Sequence, residues 1–306
     1  MTTLALNAPS ICCIGEVMIE LVHAPNGALN LGVAGDTYNT AVYLTRALRG
    51  TGIKTSYVTA LGQDLYSDRI AVALDSHGLD LSLVERRAEK MPGLYAVDTD
   101  ELGERSFSYW RDSSAAREMF SDKSTLDFTD LTGFGMIYLS GITMAILQAD
   151  VRQKVLDFIG DYRAKGGLFA YDSNYRPRLW ESQEVAQEIN ESLWRICDIA
   201  LPSVDDEMAL FGDANEAAVL QRLASFGVSK GALKRGAEGP LDLAGLAVAQ
   251  NLSQVKRVVD STAAGDSFNA GFLAAYLKGN GTKAALEAGH NLAAKVISAR
   301  GAIIAE

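Results

Sequence analysis

The sequence predicts an α/β protein, with a mostly parallel central sheet flanked by helices on both faces and a small β-sheet lid beside it. Three observations lead there. Short apolar runs alternate with amphipathic segments along most of the chain, the pattern of strands joined by crossover helices. The alternation breaks at residues 94–111, where two strand-like runs flank a turn, and at 17–22, a run with no helix after it. The chain has 306 residues, 48% hydrophobic and 22% charged, which is enough apolar material for one large domain or two ordinary ones.

The elements follow in order. Residues 11–14 are continuously apolar and read as a buried strand, with Cys12 and Cys13 as small buried hydrophobes. A helix is expected over 36–48, with Ala41, Leu44 and Leu48 on one face. Strand 56–61 and a helix over 67–76 come next. Runs 94–99 and 105–111 surround "DELGE", a turn containing Gly103; with 17–22 they are expected to form the separate small sheet, a lid over the cleft. Strands are then expected at 136–140, 168–171, 199–201 and 257–259, and helices at 151–165, 185–196 and 217–226. A last amphipathic pattern carries Phe268, Phe272, Leu273, Tyr276 and Leu277 on one face.

Charge and composition exclude several function classes. The formal net charge of −10 repels nucleic acid, and no basic block offsets it. No apolar run approaches the ~18–20 residues of a membrane span. The opening "MTTLALNAPS" lacks the basic start and apolar stretch of a signal peptide. The cysteines, Cys12, Cys13 and Cys197, make neither a CxxC pair nor a disulfide framework, which fits a reducing compartment. A soluble cytoplasmic protein is expected. His23, His77 and His290 have no metal-ligand spacing.

The stretch "DSTAAGDSFNAGF" (260–272) carries the chemistry. Small residues lie where a strand is expected to give way to a helix N-terminus. Free N–H groups point outward there and the macrodipole favours an anion. Small side chains let a phosphate approach those groups. Asp266 falls in the first turn. It either accepts the proton of an attacking hydroxyl or merely complements the helix dipole. Neither a GxxxxGK[ST] loop nor a GxGxxG after a strand is present.

That order of residues resembles the signature of the ribokinase-like (PfkB) carbohydrate kinases, Asp-Thr-x-Gly-Ala-Gly-Asp, with Ser261 for the usual Thr and Ala263-Ala264 in the small positions. The resemblance implies Asp266 as catalytic base and the amides of Ala263, Ala264 and Gly265 as an anion hole for the phosphoryl group. It extends along the chain. "GVAGDTYNTAVYL" (32–44) is similar to the family's sugar-binding segment, with Gly35, Asp36 and Asn39 in the binding places. "ALGQD" (60–64) matches its Gly-x-Asp turn. "LKRGAEG" (233–239) resembles its nucleotide-contacting turn and implies Lys234, Gly236 and Gly239 as contacts. The usual Asn-x-x-Glu is altered to "LPSVDDEMALFG", with Ser203 for Asn and either Asp206 or Glu207 acting on Mg2+ through water; a solvated helix start is the alternative for these acids. ATP and Mg2+ are implied as cofactors. The domain reading is one ribokinase-like unit over 1–306, with lid strands inserted at about 16–34 and 92–113.

The substrate reading rests on the lid. "FSYWRDSSAAR" (107–117) puts Tyr109 and Arg111 on one strand face, and a guanidinium suits a carboxylate better than a neutral hexose, a surface arginine at the lid edge being the alternative. This run resembles the Tyr-Trp-Arg segment of 2-keto-3-deoxygluconate kinases, and "DSNYRPRLW" (172–180) resembles their run after a strand. The resemblance implies Tyr95, Tyr109, Arg111 and Arg176 as contacts of a sugar acid. Asn174 and Arg176 would lie near the ATP phosphates, and Asn291 beside the adenine. For Tyr95 and Tyr109 the alternative is packing within the lid, and for Asn291 a surface position. The expected reaction is phosphorylation of the 6-hydroxyl of 2-keto-3-deoxygluconate. A fructokinase or other keto-sugar kinase is the alternative within the family; a non-catalytic sugar-responsive binding protein is the alternative in another class. Lids of this family often pair between subunits, which implies a homodimer or a higher homo-oligomer.

Overall fold

The computed structural model describes residues 6–23, 27–99 and 105–306. In chain order these form β1 (Ser10–Ile14), β2 (Met18–His23), β3 (Leu29–Ala34), α1 (Asp36–Ala47), β4 (Lys54–Leu61), α2 (Leu65–Ser76), β5 (Val84–Arg86), β6 (Leu94–Thr99) and β7 (Arg105–Trp110). There follow β8 (Met136–Ser140), α3 (Gly141–Ile146), α4 (Ala149–Ala164), β9 (Leu168–Asp172), α5 (Gln183–Arg195) and β10 (Ile199–Ala200). The last elements are α6 (Val204–Phe211), α7 (Glu216–Ser225), β11 (Ala232–Leu233), β12 (Leu241–Asp242), α8 (Ala264–Leu277) and α9 (Gly281–Ile297).

The continuous apolar runs become the centre of a six-stranded sheet of order β10-β9-β8-β1-β4-β5. Every pairing within it is parallel. Such a sheet is covered on both faces, which is why its strands are apolar throughout rather than alternating. Side chains point to opposite faces in turn: Ile11 and Cys13 enter one core layer, Cys12 and Ile14 the other. Burial pushes both thiols up, in keeping with a packing role. Helices α1, α8 and α9 cover the first layer, and α3, α4, α5 and α7 the second.

The break in the alternation becomes a separate four-stranded sheet of order β3-β2-β6-β7. Strands β2 and β6 pair in parallel; β2–β3 and β6–β7 are antiparallel. The turn containing Gly103 lies outside the described residues, as does the start of the chain at 1–5. Among the described residues no helix is long and apolar enough to cross a membrane.

One expected strand is absent. Residues 257–259 are irregular, with Val258 and Val259 56% and 41% exposed. The short apolar pair joins none of the sheets. Instead the N–H groups of Val259 and Asp260 donate to the carbonyl of Ile297 at the end of α9, at 2.8 and 3.2 Å. The segment before Asp266 is therefore a tethered loop, not a strand.

That loop turns into α8 through Ala263, whose φ of 60° and ψ of 18° lie in the left-handed region. There a Cβ crowds the following carbonyl and costs an L-residue roughly 1–2 kcal/mol. Ala263→Gly is therefore expected to raise Tm by on the order of 1–3 °C, the relief exceeding glycine's added unfolded-state entropy. Thermal unfolding followed by circular dichroism checks this; an unchanged or lower Tm would show that the turn carries no such strain.

Candidate active site

The site lies where the N-termini of α1 and α8 meet beside the ends of β8 and β9. Asp266, in the first turn of α8, is 9% exposed and accepts a hydrogen bond from Asn39 Nδ2 at 2.8 Å. Thr40 Oγ1 donates to the Asp266 carbonyl at 3.2 Å, a second link between the two helices. The N–H groups of Gly265 and Asp266, in that first turn, have no intrahelical acceptor and stand ready for an anion. The Ala264 N–H makes a long 3.3 Å contact to the Ser261 carbonyl.

Asp36 opens α1. It accepts from Ser140 Oγ and, at 3.1 Å, from Asn174 Nδ2. Gly35 is needed for a close approach: a Cβ there would sit 2.4 Å from the Glu16 carbonyl oxygen. Asn174 has a φ of 34°, a region where asparagine is among the residues best tolerated. Its N–H donates to Asp172 Oδ1 at 3.1 Å.

Two of these acids, Asp36 and Asp266, are perturbed. Burial raises the Asp266 carboxyl to about 8, and the like charges of Asp36 and Asp172 add to this while the Asn39 hydrogen bond and Lys234 oppose it. Burial also pushes the Asp36 carboxyl up, against hydrogen bonds from Ser140 and the Thr37 backbone and the charge of Arg111. A carboxylate whose proton affinity approaches neutrality, beside unpaired helix N–H groups, suits a general base at a group-transfer site.

Arg111 follows β7 directly and is only 6% exposed. Its Nη2 donates to Glu16, itself 1% exposed, in a buried ion pair. Arg111 Nε and Glu16 Oε1 are buried without a partner. Asn39 Oδ1 is in the same condition. Most buried polar atoms are paired, so each of these is a place where a ligand or a water can bond. Tyr109 shares a side with Arg111, the guanidinium lying 5.9 Å from the ring centroid. Tyr95 is the cross-strand partner of Tyr109, stacks on it at 5.7 Å, and donates its hydroxyl to Glu20 at 2.5 Å.

The remaining sequence candidates separate. Arg176 is half-exposed and donates to Asp206 Oδ1 at 3.1 Å and to the Tyr175 carbonyl at 2.6 Å. Burial raises the Asp206 carboxyl, and Arg176 opposes that. Glu207 turns the other way, fully buried and paired with Arg222 at 2.9 Å. Gly236 and Gly239 shape the loop joining β11 to β12, both with positive φ. Lys234 points inward to Asp172. Asn291 uses both ends of its amide on one loop, accepting from the Ser253 N–H at 2.8 Å and donating to the Asn251 carbonyl at 3.1 Å. Sequence reasoning missed Glu16, Asp172 and Asn269. Asn269 left a signal, a lone amide within an apolar helix.

The whole chain has counterparts among known proteins. Residues 8–306 match the model of the pfkB family carbohydrate kinases. The chain is 42% identical over 301 residues to the 2-dehydro-3-deoxygluconokinase of Escherichia coli, covering 96% of each. It is similar to the PfkB protein structure from Polaromonas sp. JS666, with a TM-score of 0.80, 26% identity and 96% of each chain covered. The fructokinase of Xylella fastidiosa, solved with bound ATP, shares the fold with a TM-score of 0.79 and 20% identity, over 96% of this chain and 94% of that one. Family model, full-length likeness and the parallel sheet agree: this chain belongs to the pfkB family of carbohydrate kinases.

Proposed function

We propose that the chain is an ATP-dependent sugar-acid kinase that transfers the γ-phosphoryl group of ATP to the 6-hydroxyl of 2-keto-3-deoxygluconate, giving 2-keto-3-deoxy-6-phosphogluconate. The carrying observation is the buried Asp266 carboxylate in the first turn of α8, with Arg111 at the lid edge as a cation for the substrate's acid group. The full-length likeness to a 2-dehydro-3-deoxygluconokinase supports the substrate.

In this reading Gly35, Asp36 and Asn39 hold sugar hydroxyls, and Tyr95 and Tyr109 flank the sugar. Arg111 takes the carboxylate through donors left over from Glu16, and Arg176 reaches both substrate acid and phosphates. As the 6-oxygen bonds to phosphorus, the bond from phosphorus to the departing ADP oxygen breaks and the hydroxyl proton passes to Asp266. Amides of Ala263, Ala264 and Gly265 face the charge on the phosphoryl oxygens. Asn174, Gly236 and Gly239 border the nucleotide, and Asn291 acts on the adenine side through the loop it pins.

Among the described residues no cluster of three or more His, Cys, Asp or Glu could hold a metal. Mg2+ keeps several waters and is bound by one or two carboxylates together with substrate phosphates. Asp206 is the fitting acid, through water, because it keeps some exposure beside its Arg176 contact; Glu207 is fully buried against Arg222. The ion would neutralise phosphate charge. The whole chain acts as one domain, with the strands at about 16–34 and 92–113 forming a lid that excludes water when closed. Leu29, Phe107 and Trp110 are exposed on this lid, and a homodimer or higher homo-oligomer would cover them. A cytoplasmic setting fits the substrates.

Coupled ATP-consumption assays with 2-keto-3-deoxygluconate and fructose test the reading. A kcat/KM at least 100-fold higher for the acid is expected; the reverse ranking would reassign the enzyme. Arg111→Ala is expected to raise KM for the sugar acid tenfold or more, the weight of a charged hydrogen bond, with KM for ATP nearly unchanged. Equal small effects on both would remove Arg111 from substrate binding.

Asp266→Asn should lower kcat on the order of 10²–10⁴-fold. It also carries a signed stability effect. The folded carboxyl titrates above its unfolded value of 3.8, so wild-type stability falls as pH rises from there to about 8. The Asn variant escapes this. Its Tm should match wild type near pH 4 and exceed it by a few degrees at pH 8.5. Near-normal turnover, or a Tm difference independent of pH, would contradict the assignment.

A further inference from the structure

Beside the first turn of α8 lies a buried ion pair with no part in the proton transfer. Asp172, the last residue of β9, is 3% exposed. Its Oδ2 accepts from Lys234 Nζ and, at 2.6 Å, from Asn269 Nδ2. Lys234 Nζ also donates to Asn269 Oδ1 at 3.2 Å. Asn269 is fully buried and its Nδ2 lies 3.0 Å from the Tyr138 hydroxyl oxygen. The ammonium is thus gripped from β9 on one side and α8 on the other.

Its position is unusual. A Cβ on Gly265 would lie 3.5 Å from Lys234 Nζ, so the cation sits against the first turn of α8. Helix N-termini favour negative charge, and a cation there adds to the positive end of the dipole. The arrangement is unfavourable for an empty site and favourable for one that receives an anion. Asp172 offsets the cost while the site is empty. An ammonium has three donors; Asp172 and Asn269 take two, leaving one.

We propose that Asp172 and Asn269 form a cradle that presents the Lys234 ammonium to the transferring phosphoryl group at the N-terminus of α8, Lys234 contacting that group and Asp172 serving as its positioning residue. This rests on the kinase reading and goes beyond a nucleotide contact on the 233–239 loop. It explains why Lys234 points into the protein rather than along the loop surface. It also gives a role to Asn269, one turn after Asp266 in α8.

The test uses the full-length enzyme and three variants: Lys234→Met, Asp172→Asn, and the two combined, in which neutral groups of similar shape replace the pair and folding is best preserved. Lys234→Met should lower kcat about 10²-fold, the cost of removing one donor to the developing charge, with KM for the sugar changed less than threefold. Asp172→Asn should lower kcat about tenfold. The double variant should be no slower than Lys234→Met alone, because Asp172 acts through the lysine. Calorimetry gives a readout apart from turnover: Lys234→Met should weaken the non-hydrolysable triphosphate AMP-PNP about tenfold or more and leave ADP unchanged.

The pH profile adds a signed check. The charged and titratable groups facing Asp266 are Asp36 and Tyr43 from α1, Tyr95 from β6, Tyr138 from β8, Asp172 from β9 and Lys234 after β11. Asp172 raises the Asp266 carboxyl and Lys234 lowers it. The acid limb of kcat/KM should therefore move to lower pH in Asp172→Asn and to higher pH in Lys234→Met. Losses that multiply in the double variant, or equal weakening of AMP-PNP and ADP, would overturn the cradle. Wild-type turnover separates this from the substrate question: if fructose proves the substrate, the same comparisons are made with fructose and decide the cradle on the same terms.

Discussion

The structure turns on the burial of carboxylates in one small volume. Asp36, Asp172 and Asp266 come from α1, β9 and α8, and the carboxyls of Asp36 and Asp266 are raised, by burial first and by their acidic neighbours second. Like charges so close in a dry site repel, and each must be held by donors if the fold is to survive. The donors are mostly neutral: Asn39 for Asp266, Ser140 and Asn174 for Asp36, and Asn269 together with Lys234 for Asp172. Amides and hydroxyls orient a carboxylate without fully neutralising it. Asp36 and Asp266 therefore keep a raised proton affinity, and that of Asp266 suits a base working near neutral pH. The same bonds tie α1 to α8, so the site and the core layer beneath it are one construction.

This explains which parts were legible in the sequence. The central sheet was readable because doubly covered strands are apolar throughout, and the small sheet because it interrupts that rhythm. The helix at 36–48 and the one after Asp266 carried both a periodic face and a terminal acid. What failed was local: "RVV" at 257–259 has strand composition, yet its backbone bonds go to α9. Composition reports what a segment prefers, not whether a sheet edge is within reach.

The site was legible where chemistry is written as a run of residues, and illegible where it is assembled across the chain. Asn39 meets Asp266 across 227 positions, and Arg111 meets Glu16 across 95. "DSTAAGD" announces an anion site because small residues and an acid stand together. Glu16, in "IGEVMIEL", has no such company and reads as an ordinary acid after a strand. Its partner appears only in the fold, where the end of β7 sets Arg111 against it. The pair at Asp206-Glu207 was separable only in three dimensions, since one faces Arg176 and the other is sealed against Arg222.

The Glu16–Arg111 pair also bears on how an acidic chain comes to take an acidic sugar. A bare buried guanidinium would attract a carboxylate strongly but would destabilise the empty protein. Glu16 removes that penalty while engaging Arg111 through Nη2 alone, so the fork is only partly used and Nε has no partner. A neutral sugar leaves the pair as it is. On the proposed reading, a sugar carboxylate would supply an acceptor that the guanidinium lacks and would share the cation with Glu16. On that reading selectivity would depend less on how much positive charge the cleft carries than on one buried donor left without an acceptor. That is compatible with a net charge of −10, because it acts over a single hydrogen-bond length and not through the long-range field of the protein.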